Sequence, residues 1–147
     1  MKGSCKWVLG TALVALIGFG MIAQGLQAGP LARGRFKLPF DAQLEQMSLP
    51  TGEYTFSVKD ASLNGNIFVY RGNQPVGVLR AQMFKDNENQ SPNPVLVCIR
   101  HDGNVSVRAL RLPNIGTFYF SLPKELKTLA AQQPELIEVV AVEVTGD

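Results

Sequence analysis

The sequence is short of the residues from which active sites are most often built. It has one histidine, His101, two cysteines and one tryptophan. Cys5 lies close to the N-terminus, which leaves Cys98 as the lone thiol of the remaining chain and no internal disulfide to form. With one histidine and one such cysteine, a zinc site would need several carboxylates, and no spacing of acids suggests them. An excess of charge is missing too. The formal net charge is +2, and Lys2 and Lys6 account for it, so the rest of the chain is neutral. A neutral domain lacks the broad basic footprint of a nucleic-acid binder, and DNA or RNA binding is not expected. Beyond the N-terminal segment no apolar stretch is long enough to span a bilayer as a helix.

What is present suits one small domain. A chain of 147 residues with 46% hydrophobic residues has material for a single core and is too short for two ordinary domains. Met1 to Lys6 carries two lysines and no acid, Trp7 to Ala23 is apolar, and small residues follow at Gly25, Ala28 and Gly29. Positive start, apolar middle and small-residue exit form the pattern of a secretory signal. Residues 1–28 are therefore expected to be a signal segment, cleaved after Gly25 or after Ala28. The alternative is an uncleaved anchor, since the apolar run is at the lower length limit for a bilayer span. Residues 29–35 are expected to be a linker and 36–147 a single β domain. The localisation this implies is exported: periplasm, cell envelope or extracellular space. No insertion of the mature domain into a membrane is expected.

The domain reads as strands and turns. Phe36 to Glu45 alternates apolar and other residues, the period-2 pattern of a half-buried strand. Pro39 has no amide hydrogen to give and predicts an edge or an irregularity there. Tyr54, Phe56 and Val58 alternate inward on the next strand, and Ile67 to Tyr70 resumes after Asn64-Gly65. Arg71 to Gln74 makes a turn into a strand over Val76 to Phe84, with Leu79, Ala81 and Met83 on one side and Val78 and Gln82 on the other. Val95 to Arg100 and Val105 to Leu112 flank Asp102-Gly103, a strong hairpin signal. Thr117 to Phe120 follows the turn at Pro113 to Gly116. Leu122, Leu126, Leu129 and Ala130 recur at helical spacing behind Pro123, and Pro134 ends that helix. Leu136 to Val144 is rich in β-branched residues, with apolar residues on both faces, so it is expected to be central or to close the sheet. The expected fold is all-β, mainly antiparallel: a small barrel or two-sheet sandwich of about 7–8 strands with one short helix before the last strand. The helix is expected to cap one open end of the barrel.

Few residues invite a chemical role. Cys98 and His101 are three apart on a strand, which points them to opposite faces and argues against a thiol–imidazole pair. Cys98, inside Val95 to Ile99, is expected to be a buried and inert thiol. The loop Asp86 to Gln90 carries oxygen ligands but lacks the alternation and the pivotal glycine of a calcium loop. Glu138 stands out within an apolar strand and is expected to face solvent at an edge. Leu49-Pro50-Thr51-Gly52 is not a sortase signal, because its residue order differs and no hydrophobic tail follows. No catalytic, cofactor-binding or metal-binding residue is assigned.

Leu38-Pro39-Phe40-Asp41 followed by Leu49-Pro50-Thr51-Gly52-Glu53-Tyr54 resembles a group of small exported bacterial proteins, abundant in Acidobacteria. These open with a Pro-Phe strand and continue with Leu-Pro-Ala-Gly-x-Tyr. Thr51 stands here in place of the usual alanine, and the likeness is clearest over Phe36 to Val58. The resemblance implies bacterial export and a strand–turn–strand opening, and it transfers no active site. The expected function is a non-enzymatic exported module that binds another macromolecule or a surface structure. A small-molecule carrier with a barrel cavity is the alternative, and a hydrolase using unflagged carboxylates a third. A carrier should be hollow, whereas a binding module should have a filled core and an exposed apolar or aromatic patch.

Overall fold

The computed structural model describes residues 29–63, 65–86 and 93–145. The expected signal segment and most of the polar loop after Lys85 lie outside these residues. In chain order the elements are β1 (Ala32–Leu38), β2 (Ala42–Leu44), β3 (Met47–Leu49), β4 (Gly52–Val58), β5 (Asn66–Arg71), β6 (Gln74–Arg80), β7 (Met83–Lys85), β8 (Val95–His101), β9 (Asn104–Leu112), β10 (Gly116–Tyr119), α1 (Lys124–Gln132), a 3-10 turn (Pro134–Leu136) and β11 (Ile137–Thr145).

Hydrogen-bonded neighbours run β6-β5-β4-β1-β11-β8-β9, and β10 joins β9 to β7. Because β6 and β7 are two halves of one bent segment, this path returns on itself as a nearly closed, barrel-like sheet. Pairing is antiparallel, apart from one parallel bridge between Gln43 of β2 and Ser106 of β9. β11 sits between β8 and β1 and closes the ring, as the β-branched run suggested. β2 and β3 continue the sheet from β9, and the seam lies where β3 and β6 face each other without pairing. There the Met47 side chain reaches the place a side chain at Gly77 would occupy.

The strand segments outnumber the expectation because two expected strands are broken and β3, Met47–Leu49, was not expected. Phe36 to Glu45 divides at Pro39-Phe40-Asp41 into β1 and β2, since proline cannot continue the ladder. Val76 to Phe84 divides at Ala81-Gln82. That break shifts the side-chain alternation by one residue, so Met83, expected beside Leu79 and Ala81, points outward and is 49% exposed. β1 also begins at Ala32, within the stretch expected to be linker. Its inward positions there, Ala32 and Gly34, are too small to announce a strand, although the burial alternation is complete.

The interior is filled by the in-facing side chains of the ring. Phe36, Tyr54, Phe56, Phe118 and Phe120 are all buried, and Phe40 packs partly buried against them. Phe36 stacks on Tyr54 with ring centres 5.6 Å apart, and Phe84 meets Phe118 at 5.0 Å. A barrel of about eight strands is just wide enough for side chains to fill. Each large apolar residue buried here contributes about 1.5–3 kcal/mol relative to exposure.

The strand–turn–strand opening is held by its own motif. Asp41 accepts hydrogen bonds from the Thr51 amide at 2.7 Å and the Thr51 hydroxyl at 2.9 Å. The Tyr54 hydroxyl donates to the Pro50 carbonyl at 2.6 Å. Gly52 has φ +150°, in the region that favours glycine, and a side chain there would press on the Arg71 guanidinium. Leu38-Pro-Phe-Asp and Leu49-Pro-Thr-Gly-Glu-Tyr are thus two halves of one structural clasp.

The helix does not cap the barrel. α1 lies outside the sheet, where Ala130 with Leu122 and Leu136 covers Ile99 of β8 in a separate small apolar cluster. Ile99 faces outward, and burying it on the sheet's outer face satisfies the helix stripe without entering the barrel. The β2–β3 hairpin instead extends the sheet beside β9, and its Ala42, Leu44 and Leu49 join the main core.

Candidate functional site

The residues singled out for chemistry are placed apart. Cys98 is fully buried in the main core, while His101 is partly exposed at the end of β8, 3.1 Å from the carboxylate of Asp102. Burial, reinforced by the negative charge of Glu138, pushes the Cys98 thiol up to about 12, the protonated and unreactive state. Asp102 and Gly103 both have positive φ, as the two-residue hairpin requires. Among the described residues no three His, Cys, Asp or Glu side chains converge as a metal site would. Most of the loop considered for calcium lies outside the described residues. Among the described residues no helix is long and apolar enough to cross a membrane.

Glu138 lies on the half of β11 that pairs with β8, opposite Cys98, and short of the half that pairs with β1. Its side chain is partly exposed but not free in solvent, because Arg100 holds it through Nε to Oε1 at 2.6 Å and Nη2 to Oε2 at 3.0 Å. The Arg100 guanidinium also sits 4.9 Å from the Phe40 ring centre. Those hydrogen bonds keep the Glu138 carboxyl below the ordinary range. The sequence signal, one acid in a β-branched run, was real, and its meaning was an ion pair with a neighbouring strand.

Three surface features remain. The first is a cleft of about 710 Å³ at the seam, lined by Leu44, Met47, Val78, Leu79 and Leu122 with Glu45 as its one carboxylate. Glu45 has φ +55° at the tip of the β2–β3 hairpin, and its Oε1 accepts from the Ser121 amide at 3.4 Å. A lone carboxylate used as a hairpin tie does not make the paired acids of glycoside hydrolysis.

The second is the outer face of β1, β4 and β5, where hollows of about 700 and 510 Å³ share Arg33, Ser57 and Tyr70. Its cations share the face with carboxylates. Arg35 is bonded to Glu143, Lys37 stands opposite Glu53, and Asp60 lines the larger hollow beside Lys59. The Lys59 ammonium lies 5.1 Å from the Phe68 ring centre.

The third feature is different in kind. On the outer face of β11, β8, β9, β10 and β7, register places Val139 beside Val97, Val97 beside Ala109, Ala109 beside Tyr119 and Tyr119 beside Met83. This apolar row crosses five strands, about 19 Å at ordinary strand spacing. Its ends are open, with Val139 59% and Met83 49% exposed. The next row carries Arg111, Thr117 and Lys85, and on the other flank stand Arg108 and Lys127. Two hollows, of about 420 and 320 Å³, share Arg108 and Tyr119 and form one groove. Lys85, Arg108, Arg111 and Lys127 line it, and among the described residues no carboxylate does. None of the four has a carboxylate within ion-pair distance among the described residues. The Arg111 Nε is buried without an acceptor. The Lys85 ammonium lies 5.8 Å from the Tyr119 ring centre.

Sequence reading missed this groove. Its cations come from β7, β9 and α1, and the register shift between Val97 and Cys98 is what makes room for Arg108 on the outer face. No protein-family model, curated protein or solved structure matches the chain.

Proposed function

We propose that this protein is an exported, non-enzymatic β module of the cell envelope or extracellular space, and that it binds an anionic partner along the groove outside β11, β8, β9, β10 and β7. The observation that carries this reading is a groove with an apolar floor, four cations and, among the described residues, no carboxylate, on a domain whose net charge is near zero. Uncompensated cations around a low-dielectric floor raise the local potential and attract anions. The filled interior supports binding on the outside rather than carriage within. The N-terminal positive, apolar and small-residue succession supports export.

The test is fractionation of the source cells followed by native mass spectrometry of the purified protein. The expected result is a chain starting after Gly25 or Ala28, recovered with the envelope or the medium and released by salt. A chain retaining Met1 in the soluble cytosolic fraction would overturn the reading. A stoichiometric small adduct that survives loss of the groove cations would point to a carrier instead.

A further inference from the structure

We infer that the occupant of the groove is a carboxylated polysaccharide, a chain of uronic-acid type laid across the strands. The inference rests on the binding-module reading above and names its ligand. The groove is a linear track, with its cations on both flanks: Arg111 and Lys85 on one side, Arg108 and Lys127 on the other. An extended glycan whose acid groups project to both sides matches two flanking rows of cations. The faces of its sugar rings, which present C–H groups, match the floor of Val97, Ala109 and Tyr119. A guanidinium can take a carboxylate in two parallel hydrogen bonds, which gives geometric selection as well as charge.

The alternatives fit less well. An extended peptide pairs by adding along a strand edge, and the centre of the groove crosses β8, β9 and β10, each paired on both sides. A lipid surface favours a convex apolar tip that can insert, whereas the apolar row here lies in a hollow with Val97 and Ala109 buried at its centre. The face of β1, β4 and β5 also has cations, but Glu143, Glu53 and Asp60 accompany them.

The experiment is isothermal titration of the protein purified from its source with an oligogalacturonate, a neutral malto-oligosaccharide of the same length, and phosphatidylglycerol vesicles. Binding of the oligogalacturonate alone is expected, weakening as salt is raised. The Arg108→Gln/Arg111→Gln double variant should lose affinity by about tenfold or more, the scale of a lost hydrogen bond to a charged group. Lys85→Gln/Lys127→Gln, whose side chains are exposed and not needed for folding, should weaken binding severalfold with the thermal midpoint unchanged. Arg33→Gln/Lys59→Gln, on the opposite face, should bind as the unaltered protein does. Absence of oligogalacturonate binding, equal binding of the neutral sugar, equal weakening by the opposite-face variant, or binding of vesicles in its place would each overturn the inference. If the glycan fails while salt-releasable envelope association still depends on the groove cations, the ligand class is wrong and the binding module stands. If that association is absent as well, both readings fall.

Discussion

The outer face of β1, β4 and β5 and the outer face of β8, β9 and β10 rest on one filled interior and are built on the same pleat, yet they dispose of their cations differently. On the first, Arg35 is bonded to Glu143 and Lys37 faces Glu53. On the second, Arg108, Arg111, Lys85 and Lys127 flank an apolar row with no carboxylate among the described residues lining the groove. Cations that share a face with carboxylates leave little net field for a partner. Charges left unanswered around an apolar floor maintain one, and at the exposed Lys85 and Lys127 this costs the fold little. The difference between two faces of one domain is therefore more informative than the near-zero charge of the whole.

The comparison breaks if the two faces do not share one core. Phe118→Ala, beneath the groove, and Phe56→Ala, beneath the opposite face, should each cost about 3–5 kcal/mol through a cavity in the same interior. Denaturant unfolding should show one transition for both variants. Two separate transitions would mean that the halves fold independently. Gly52→Ala belongs to the clasp of the first half and should cost about 1–3 kcal/mol through strain at its positive φ. It should leave oligogalacturonate binding unchanged, and a parallel loss of binding would tie the clasp to the groove.

Smaller effects sharpen the contrast. Glu138→Gln breaks the half-exposed pair with Arg100 and should cost about 1 kcal/mol or less by thermal denaturation. Asp41 and Glu138 both have carboxyls held below the ordinary range, by the Thr51 hydrogen bonds and by Arg100 respectively. A lowered folded-state pKa gives stability that is fully present above the unfolded carboxylate range and is lost as pH falls through the folded values. Stability should therefore decline on the acid side of that range, and less steeply in the Asp41→Asn/Glu138→Gln variant. The smallest effect is at Cys98. With its thiol pushed up to about 12, it should resist an alkylating reagent at neutral pH and react once the protein is unfolded in denaturant. Labelling of the folded protein would show that the core opens.

Much of the fold was legible in the residues. Tyr54, Phe56 and Val58 alternate because one side of β4 meets the core, and the same pattern marks them in the sequence. Asp102-Gly103 identified its hairpin because few residue pairs accept two positive φ angles. Legibility failed where a local pattern met a non-local event. Met83 turned outward because the chain bends at Ala81-Gln82 to pass from pairing with β5 to pairing with β10. Glu138 found Arg100 across strands, and α1 settled over Ile99 because an outward-facing apolar residue on β8 was there to be covered. The groove was invisible for the same reason, since its four cations lie on three separate elements.

The sequence by itself determined the strand and turn alternation, the single helix before the last strand, the neutral balance of the domain and the inertness to be expected of Cys98. Each of these depends on spacing along the chain or on composition, which folding does not alter. Tertiary structure alone decided that the strands close into a nearly complete barrel, that the helix packs outside the sheet over Ile99, and which cations are paired. Those outcomes depend on register between segments far apart in the chain, and register is set by how all the in-facing side chains fill one interior at once.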